Sequence, residues 1–225
     1  MTQAVVDYFK AKGIRVMLSI GGITYVDAWN RALEQNASQL GLNAAEVAGK
    51  LGVGIEIDYE ENSNPNLIGL QQFVDGYRSV HHYDSGGTNP AARLTIDLAA
   101  GDRWLIALTQ YATKNWLSIE GPVLDYANAV VPARQPKSAA DAQANWQEHV
   151  DGKPRYAPPI PPLAPAKFTG GLWLVGTKPI AECTNFDKSL QKSTGTFVQT
   201  VAPKVGDSAG MLGYMFWAAE CQGTR

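Results

Sequence analysis

The 225-residue chain has only two cysteines, Cys183 and Cys221, and only three histidines. Two thiols can form at most one disulfide, so they do not indicate a disulfide-stabilised scaffold or a compartment. The histidines, two of them adjacent at His81 and His82, do not form a set of metal ligands. We therefore expect neither a metal ion nor another cofactor.

Long hydrophobic runs are missing as well. No uninterrupted apolar stretch is long enough to span a bilayer. The N-terminus also lacks the charged-then-apolar order of a secretory signal, so an exported form would need a signal that this sequence does not contain. We expect no membrane partner, and the localisation stays open, with secretion as one possibility.

An excess of either charge is also lacking. The chain has 19 basic and 21 acidic residues and a net charge of −2, which gives no reason to expect nucleic acid or an anionic surface as a partner. With 45% hydrophobic residues, 225 residues can bury one sizeable core. We expect a single domain over residues 1–225.

The stretch from Val53 to Glu60 reads V-G-I-E-I-D-Y-E. In a β-strand, Glu56, Asp58 and Glu60 share one face, because successive side chains point to opposite faces. At roughly 3.3 Å per residue the row spans about 13 Å. An antiparallel strand with one face in water would explain the same alternation, so the neighbouring elements have to decide between the two interpretations.

Strand and helix patterns alternate along the chain. The spacing of apolar residues, helix-start signals and glycines predicts helices over residues 2–12, 26–50 (in two pieces around Gly41), 64–83, 102–117, 138–150 and 189–201. It predicts strands over residues 14–20, 53–60, 93–98, 123–131, 171–176 and 211–217. Residues 153–167 contain six of the 13 prolines, which predicts a long loop.

This α-β alternation predicts an α/β fold with a parallel sheet. A doubly wound sheet and a TIM-type (β/α) barrel both fit the order. Glu60 ends its predicted strand, Ser19 nearly ends the previous one and Trp217 ends the last. Functional residues gather at strand carboxyl ends in barrels, so the barrel is favoured and the acidic face is expected to point inward.

These residues resemble family 18 glycoside hydrolases, the chitinases and endo-β-N-acetylglucosaminidases. The S-x-G-G strand end of that family is matched by Ser19-Ile20-Gly21-Gly22. Its D-x-x-D-x-D-x-E strand is matched by Asp58 and Glu60, with Glu56 at the middle acidic position and Val53 at the first. Trp217 matches the tryptophan that ends the last strand and floors the sugar site.

The resemblance runs from about residue 10 to the C-terminus, and two further departures accompany it. S-x-G-G belongs to the third strand of the family, so the six recognisable strands are counterparts of strands 3 to 8. The first two β/α units have no counterpart, and the barrel is incomplete. Counting along the sixth strand from Asp125, Pro132 stands where the family has the tyrosine that holds the substrate's acetamido oxygen.

The resemblance implies a retaining, substrate-assisted hydrolase that cleaves β-1,4-linked N-acetylglucosamine in chitin or its oligosaccharides. Glu60 would protonate the glycosidic oxygen and later activate water. Asp58 would accept a hydrogen bond from the acetamido N–H, and Glu56 would share a proton with Asp58. Ser19 would support this network. Substrate binding would involve Trp217, Ser19, Gly21 and Gly22.

Two alternatives remain open. Pro132 and the missing strands favour a non-catalytic or weakly active chitin-binding protein of the same fold. An unrelated α/β protein with a coincidental acidic strand is also compatible with the pattern. Further expectations are that Asp97 and Asp102 can reach the site, that Cys183 and Cys221 can pair, and that open sheet edges promote homo-oligomers.

Overall fold

The computed structural model describes residues 2–99, 104–130, 139–173, 204–205, 208–209 and 212–217. The chain has an α/β fold with parallel strand pairs and divides into two compact units. The first unit comprises residues 1–97 and 115–126, and the second comprises residues 98–114 and 127–225. Within the described residues, no helix combines the length and apolar character needed to cross a bilayer. The single-domain expectation stays a prediction.

The first unit is built around three strands, which are β1 (Met17–Gly21), β2 (Gly54–Asp58) and β3 (Leu94–Ala99). β2 pairs in parallel with β1 on one side and with β3 on the other. The carboxyl ends of β1 and β2 coincide, because Gly21 lies opposite Asp58 in the register. The carboxyl ends of these two strands therefore lie at one edge of the sheet, as the predicted parallel arrangement requires.

Three helices belong to this unit: α1 (Gln3–Lys10), α2 (Val26–Leu51) and α3 (Leu67–Val80). Short 3₁₀ turns at Ile23–Tyr25 and Pro90–Ala92 precede α2 and β3. The core contains apolar side chains of β2, β3, α2 and α3 that are at most 4% exposed, including Trp29, Leu33, Ile55, Ile57, Leu70, Phe73, Val74, Tyr77, Leu94 and Ile96.

Helix α2 is interrupted at Asn36 (φ −163°, ψ 58°) and not around Gly41, where the sequence predicts the break. Gly41 has a packing role instead, since a Cβ atom there would lie 2.1 Å from the carbonyl oxygen of Phe73 on α3. The missing side chain lets the two helices approach closely. Asparagine suits the break, because its side chain competes with the helical backbone for hydrogen bonds.

The second unit contains α4 (Ile106–Asn115, whose last residue lies in the first unit), β4 (Ala127–Val130), α5 (Ala139–Asp151) and β5 (Phe168–Trp173). A short hairpin follows, whose two-residue strands are β6 (Lys204–Val205) and β7 (Ser208–Ala209). The last strand is β8 (Gly213–Trp217). β5 pairs in parallel with both β4 and β8. The sequence pattern does not predict the hairpin.

Several strand boundaries differ from the prediction. β2 ends at Asp58, where its ladder with β1 also ends, so Glu60 lies in the connection beyond the strand. β4 begins at Ala127 and not at residue 123, because residues before it bond elsewhere: the Leu124 N–H, for example, donates to the Trp116 carbonyl. β5 begins at Phe168, three residues before the predicted start. The predicted helix over 189–201 lies outside the described residues.

The proline-rich segment is a loop, as predicted. Its regular features are one antiparallel bridge between Lys153 and Ile160 and the 3₁₀ turn Pro165–Lys167 immediately before β5. Proline fits these positions because it lacks the N–H that a continuous ladder needs.

Candidate active site

The two faces of β2 have different surroundings. Ile55, Ile57 and the following Tyr59 are completely buried, whereas Glu56, Asp58 and Glu60 are partly exposed. The pattern of alternation in the sequence is thus present in the structure. The acidic side is neither fully solvated nor sealed, so these carboxyl groups are partly desolvated and still accessible to a ligand.

The parallel register brings further residues into the same rows. Ser19 of β1 and Thr95 of β3 lie on either side of Glu56, and Gly21 lies beside Asp58. Asp97 follows Thr95 by two positions and therefore points to the same face of β3. Ser19 is exposed, and its predicted supporting role stays a prediction.

Gly21 and Gly22 let the end of β1 lie directly against the end of β2. The N–H of Gly22 donates to the Asp58 carbonyl at 2.9 Å. A Cβ on Gly21 would lie 1.8 Å from that carbonyl oxygen, and Gly21 has φ +135° and Gly22 φ +99°, which favour glycine. The two glycines thus hold the Asp58 backbone, and with it the carboxylate row, in place.

Asp58 and Glu60 are hydrogen-bonded to each other through their side chains. Burial, the Asp58 charge and this hydrogen bond raise the pKa of Glu60 to about 7, against the opposing effect of the Ile23 N–H. Burial also raises the pKa of Asp58, and the hydrogen bond from Glu60 partly offsets that rise. Glu60 is therefore the member of the pair that holds the proton, and Asp58 accepts it in a hydrogen bond.

Glu56 has a partner on the neighbouring strand β3, and its predicted sharing of a proton with Asp58 stays a prediction. Its side chain is hydrogen-bonded to Asp97, and burial followed by the Glu56 interaction raises the pKa of Asp97 well above its usual range. The Oδ1 atom of Asp97 is shielded from solvent and has no hydrogen-bond partner among the described residues. The four acids are thus hydrogen-bonded in two pairs, Glu60 with Asp58 and Asp97 with Glu56.

Asp97, which the sequence predicts to reach the site, lies next to the acidic residues of β2. The signal for it is in the alternation of L-T-I-D-L, which places Thr95 and Asp97 on one face of a strand. Sequence alone does not say that this face is the acidic one. That information comes from the register between β2 and β3.

A hydrogen-bonded chain behind β2 positions the segment that carries Glu60. The Tyr59 hydroxyl donates to Asn30 Oδ1 at 2.5 Å and accepts the Asn66 N–H at 3.0 Å. Glu61 accepts bonds from the backbone N–H groups of Ser63 and Asn64 at 2.7 and 3.2 Å. These bonds join α2, the β2 end and the start of α3, so the connection after Asp58 has a defined course.

The aromatic residues divide into core and surface groups. Trp29 and Trp116 are buried, and the Trp29 Nε1–H donates to the Ile20 carbonyl at 3.1 Å. Tyr25 is 60% exposed and lies on the 3₁₀ turn whose Ile23 N–H reaches Glu60. Tyr25 is therefore an exposed aromatic ring on the turn that contacts Glu60.

Other predicted residues are not located by side chain. Trp217 is the last residue of β8, with its backbone opposite Trp173 of β5, and its side chain is not among those described. Pro132, Asp102, Cys183 and Cys221 lie outside the described residues, so the predictions that depend on them stay predictions. Among the residues that are described, no group of three or more potential ligands could hold a metal ion.

Solved structures of carbohydrate-active enzymes share this fold. An endo-β-N-acetylglucosaminidase from Cordyceps militaris superimposes with a TM-score of 0.60 and 14% identity, over 98% of this chain and 65% of that one. A chitinase from Bacteroides thetaiotaomicron gives a TM-score of 0.55 and 11% identity, over 99% of this chain and 75% of that one. No family model and no curated protein matches the chain. At these identities the likeness shows a glycosidase-like fold and no more.

Proposed function

We propose that this chain is a family-18-like glycoside hydrolase that cleaves β-1,4-linked N-acetylglucosamine in chitin or its oligosaccharides, with retention. The observation that carries the proposal is the hydrogen-bonded pair of Asp58 and Glu60 at the carboxyl end of β2, in which Glu60 holds the proton near neutral pH. The S-x-G-G end of β1 lies directly against it. The fold shared with a chitinase and an endo-β-N-acetylglucosaminidase supports the same class.

In the proposed reaction, the acetamido oxygen of the substrate attacks the anomeric carbon while Glu60 donates its proton to the glycosidic oxygen. The carbon–oxygen bond breaks, the shortened sugar chain leaves and an oxazolinium ion forms. Asp58 accepts the acetamido N–H, which orients the nucleophile and offsets the positive charge. The Glu60 carboxylate then takes a proton from water, which opens the ring with net retention.

Glu56 and Asp97 would act through Asp58 and not on the sugar itself. Burial and the interaction with Glu56 raise the pKa of Asp97, which favours its neutral form and reduces the negative charge around Asp58. Trp217 remains the proposed floor of the sugar site. We also propose that the exposed ring of Tyr25 contacts the sugar. For the fold, we propose a (β/α) barrel whose β1–β5 and β8 are counterparts of strands 3 to 8.

The decisive experiment compares wild type with Glu60→Gln on chitotetraose and on a fluorogenic chitobioside. A natural sugar leaving group needs protonation more than an activated phenol does, so the variant should lose at least about 100-fold on the tetraose and less on the chitobioside. Glu120→Gln is the matched control, because it makes the same change on an exposed carboxylate between α4 and β4. It should keep activity within about threefold. Equal turnover by wild type and Glu60→Gln would refute the assignment.

A non-catalytic chitin-binding protein is the second candidate, and Pro132 at the expected tyrosine position favours it. It predicts saturable binding of chitotetraose without release of new reducing ends, even at high protein concentration. Calorimetry and a reducing-end assay on the same sample separate the two candidates. Absence of both binding and turnover would favour the unrelated α/β protein.

A further inference from the structure

A cavity lies at the end of the first unit opposite to the carboxylates. It has a volume of about 190 Å³ and is lined by residues at the amino ends of all three strands, including Arg15 before β1, Gly54 at the start of β2 and Arg93 before β3. This space holds about six water molecules at about 30 Å³ each. It suits a small polar ligand and is too small for a sugar chain.

The lining of this cavity is strongly cationic. It contains Lys10, Arg15 and Arg93 and no acidic side chain. None of the three cations forms an ion pair with an acidic residue in the described part of the chain. The nearby loop acid Asp84 is engaged by its own loop, since it accepts bonds from Gly86 N–H, Thr88 Oγ1 and Asn89 N–H. A chain of net charge −2 thus concentrates three positive charges around one cavity.

Helix dipoles do not account for all of this charge. The carboxyl ends of α1 and α2 lie here, and Lys10 Nζ approaches the α2 cap so closely that a Cβ on Gly52 would be 2.7 Å from it. Each helix end carries about −0.5 charge. Two ends offset about one of the three cationic charges, which leaves about +2.

Gly54 and Gly87 line the cavity, and a larger side chain at Gly54 would collide with its neighbours. A Cβ on Gly54 would lie 2.3 Å from Met17 Sδ and 2.9 Å from the Arg93 carbonyl oxygen. A Cβ on Gly87 would lie 3.3 Å from Arg93 Nη2. Glycine at these positions keeps the space open in front of the guanidinium group.

We propose that this cavity binds a tetrahedral oxyanion, a phosphate or sulfate group, which is either the free ion or part of a small molecule. Arginine suits such a ligand because its planar fork of N–H donors matches two oxygens at once. Arg93 also stacks beside Tyr126, with Cζ 5.9 Å from the ring centre, so its guanidinium is preoriented. The site lies at the opposite strand ends from Glu60 and does not depend on the glycosidase proposal.

The test is calorimetric titration of the full chain with inorganic phosphate and with sulfate, at constant ionic strength set by sodium chloride. Wild type should bind one phosphate saturably, and Arg15→Gln should weaken binding at least tenfold, which is about 1.4 kcal/mol. Arg15 is exposed, so its replacement leaves the fold intact by circular dichroism. Arg31→Gln, the same charge change on the exposed surface of α2, should change affinity less than about twofold.

Titration with a hexosamine 6-phosphate distinguishes the free ion from a phosphorylated small molecule as the ligand. Tighter binding than inorganic phosphate indicates a phosphorylated small molecule, and equal binding indicates the free ion. The proposal is overturned if no saturable binding is seen up to about 10 mM phosphate. It is also overturned if Arg15→Gln and Arg31→Gln bind phosphate equally, because the affinity would then reflect general charge.

Discussion

Glu60 illustrates how one side chain acquires its chemistry from its neighbours. Its carboxyl group is partly desolvated, lies next to the Asp58 charge and donates a hydrogen bond to Asp58. All three effects favour the protonated form. A pKa of about 7 is suited to a group that must first give a proton and then take one back.

The first prediction concerns the pH dependence of turnover. Because Glu60 must be protonated to act as acid, kcat/KM on chitotetraose should fall as the pH rises above about 7. The slope should approach tenfold per pH unit, as expected for one essential proton. A profile that stays flat to pH 9 would contradict the assignment of Glu60 as the acid.

The same pKa has a consequence for stability with a definite sign. The folded pKa of Glu60 lies above the usual 4.5, so its stabilising contribution is complete below pH 4.5 and is lost as the pH rises through about 7. Glu60→Gln should therefore raise the melting temperature relative to wild type at pH 8 and lose that advantage at pH 4. Differential scanning calorimetry at the two pH values checks the sign.

The second prediction concerns Asp97, whose raised pKa favours the protonated form that donates a hydrogen bond to Glu56. Asp97→Asn keeps a donor of the same shape and should preserve stability within about 0.5 kcal/mol. Asp97→Ala leaves Glu56 without that donor and should cost about 1–3 kcal/mol. Urea unfolding measures both, and equal losses in the two variants would contradict the role of Asp97 as a hydrogen-bond donor to Glu56.

At the scale of elements, the end of β1 is the most constrained backbone in the site. Gly21 combines a left-handed φ with a contact that excludes a Cβ atom. Gly13 after α1 also has positive φ, at +72°, but has no atom within 4 Å of the Cβ position. Comparing substitutions at Gly13 and Gly21 therefore separates the cost of a positive φ from the cost of a steric clash.

The third prediction uses this pair. Gly13→Ala should cost only the strain of a positive φ, about 1 kcal/mol. Gly21→Ala must also displace the Asp58 carbonyl and should exceed it by at least about 2 kcal/mol. Chemical unfolding measures the stability difference. The Gly21 variant should lose turnover as well, and comparable effects of the two substitutions on both measurements would contradict the account.

Element type was predictable where local patterns are strong, and element boundaries were not. The run before Gly21, the alternation of β2 and the Asn-Pro start before α3 each predict the type of the element that forms. The end of β2 at Asp58 depends on its pairing with β1, which lies elsewhere in the chain. Gly41 does not mark a helix break. Glycine is needed at this position because α3 approaches α2 closely there.

At the scale of the whole molecule, β1 is the outer strand of the first unit, with β2 as its partner among the described residues. Apolar side chains nearby are exposed, namely Val5, Tyr8, Phe9 and Ile14, at 38% to 60%. An open strand edge beside apolar surface favours pairing with another copy. The homo-oligomer expectation therefore remains a prediction with a structural basis.

The fourth prediction tests it. Sedimentation velocity at about 10 μM should show species heavier than the 24.3 kDa monomer. Tyr8→Lys should shift the distribution toward monomer, because it places a charge on the apolar surface. Ile68→Lys is the control, since Ile68 is 77% exposed on α3 and should leave the distribution unchanged. A purely monomeric wild type would refute the prediction.

The sequence by itself determined the α/β alternation, the acidic face of β2 and the glycine pair beside it, because these depend on periodicity and on residue type. The tertiary structure decided which acid of another strand joins them. Glu56 of β2 and Asp97 of β3 meet only through the register of the sheet, whereas Asp58 and Glu60 follow each other along one segment. The raised pKa of Glu60 likewise comes from burial and a neighbouring charge, which no local pattern encodes.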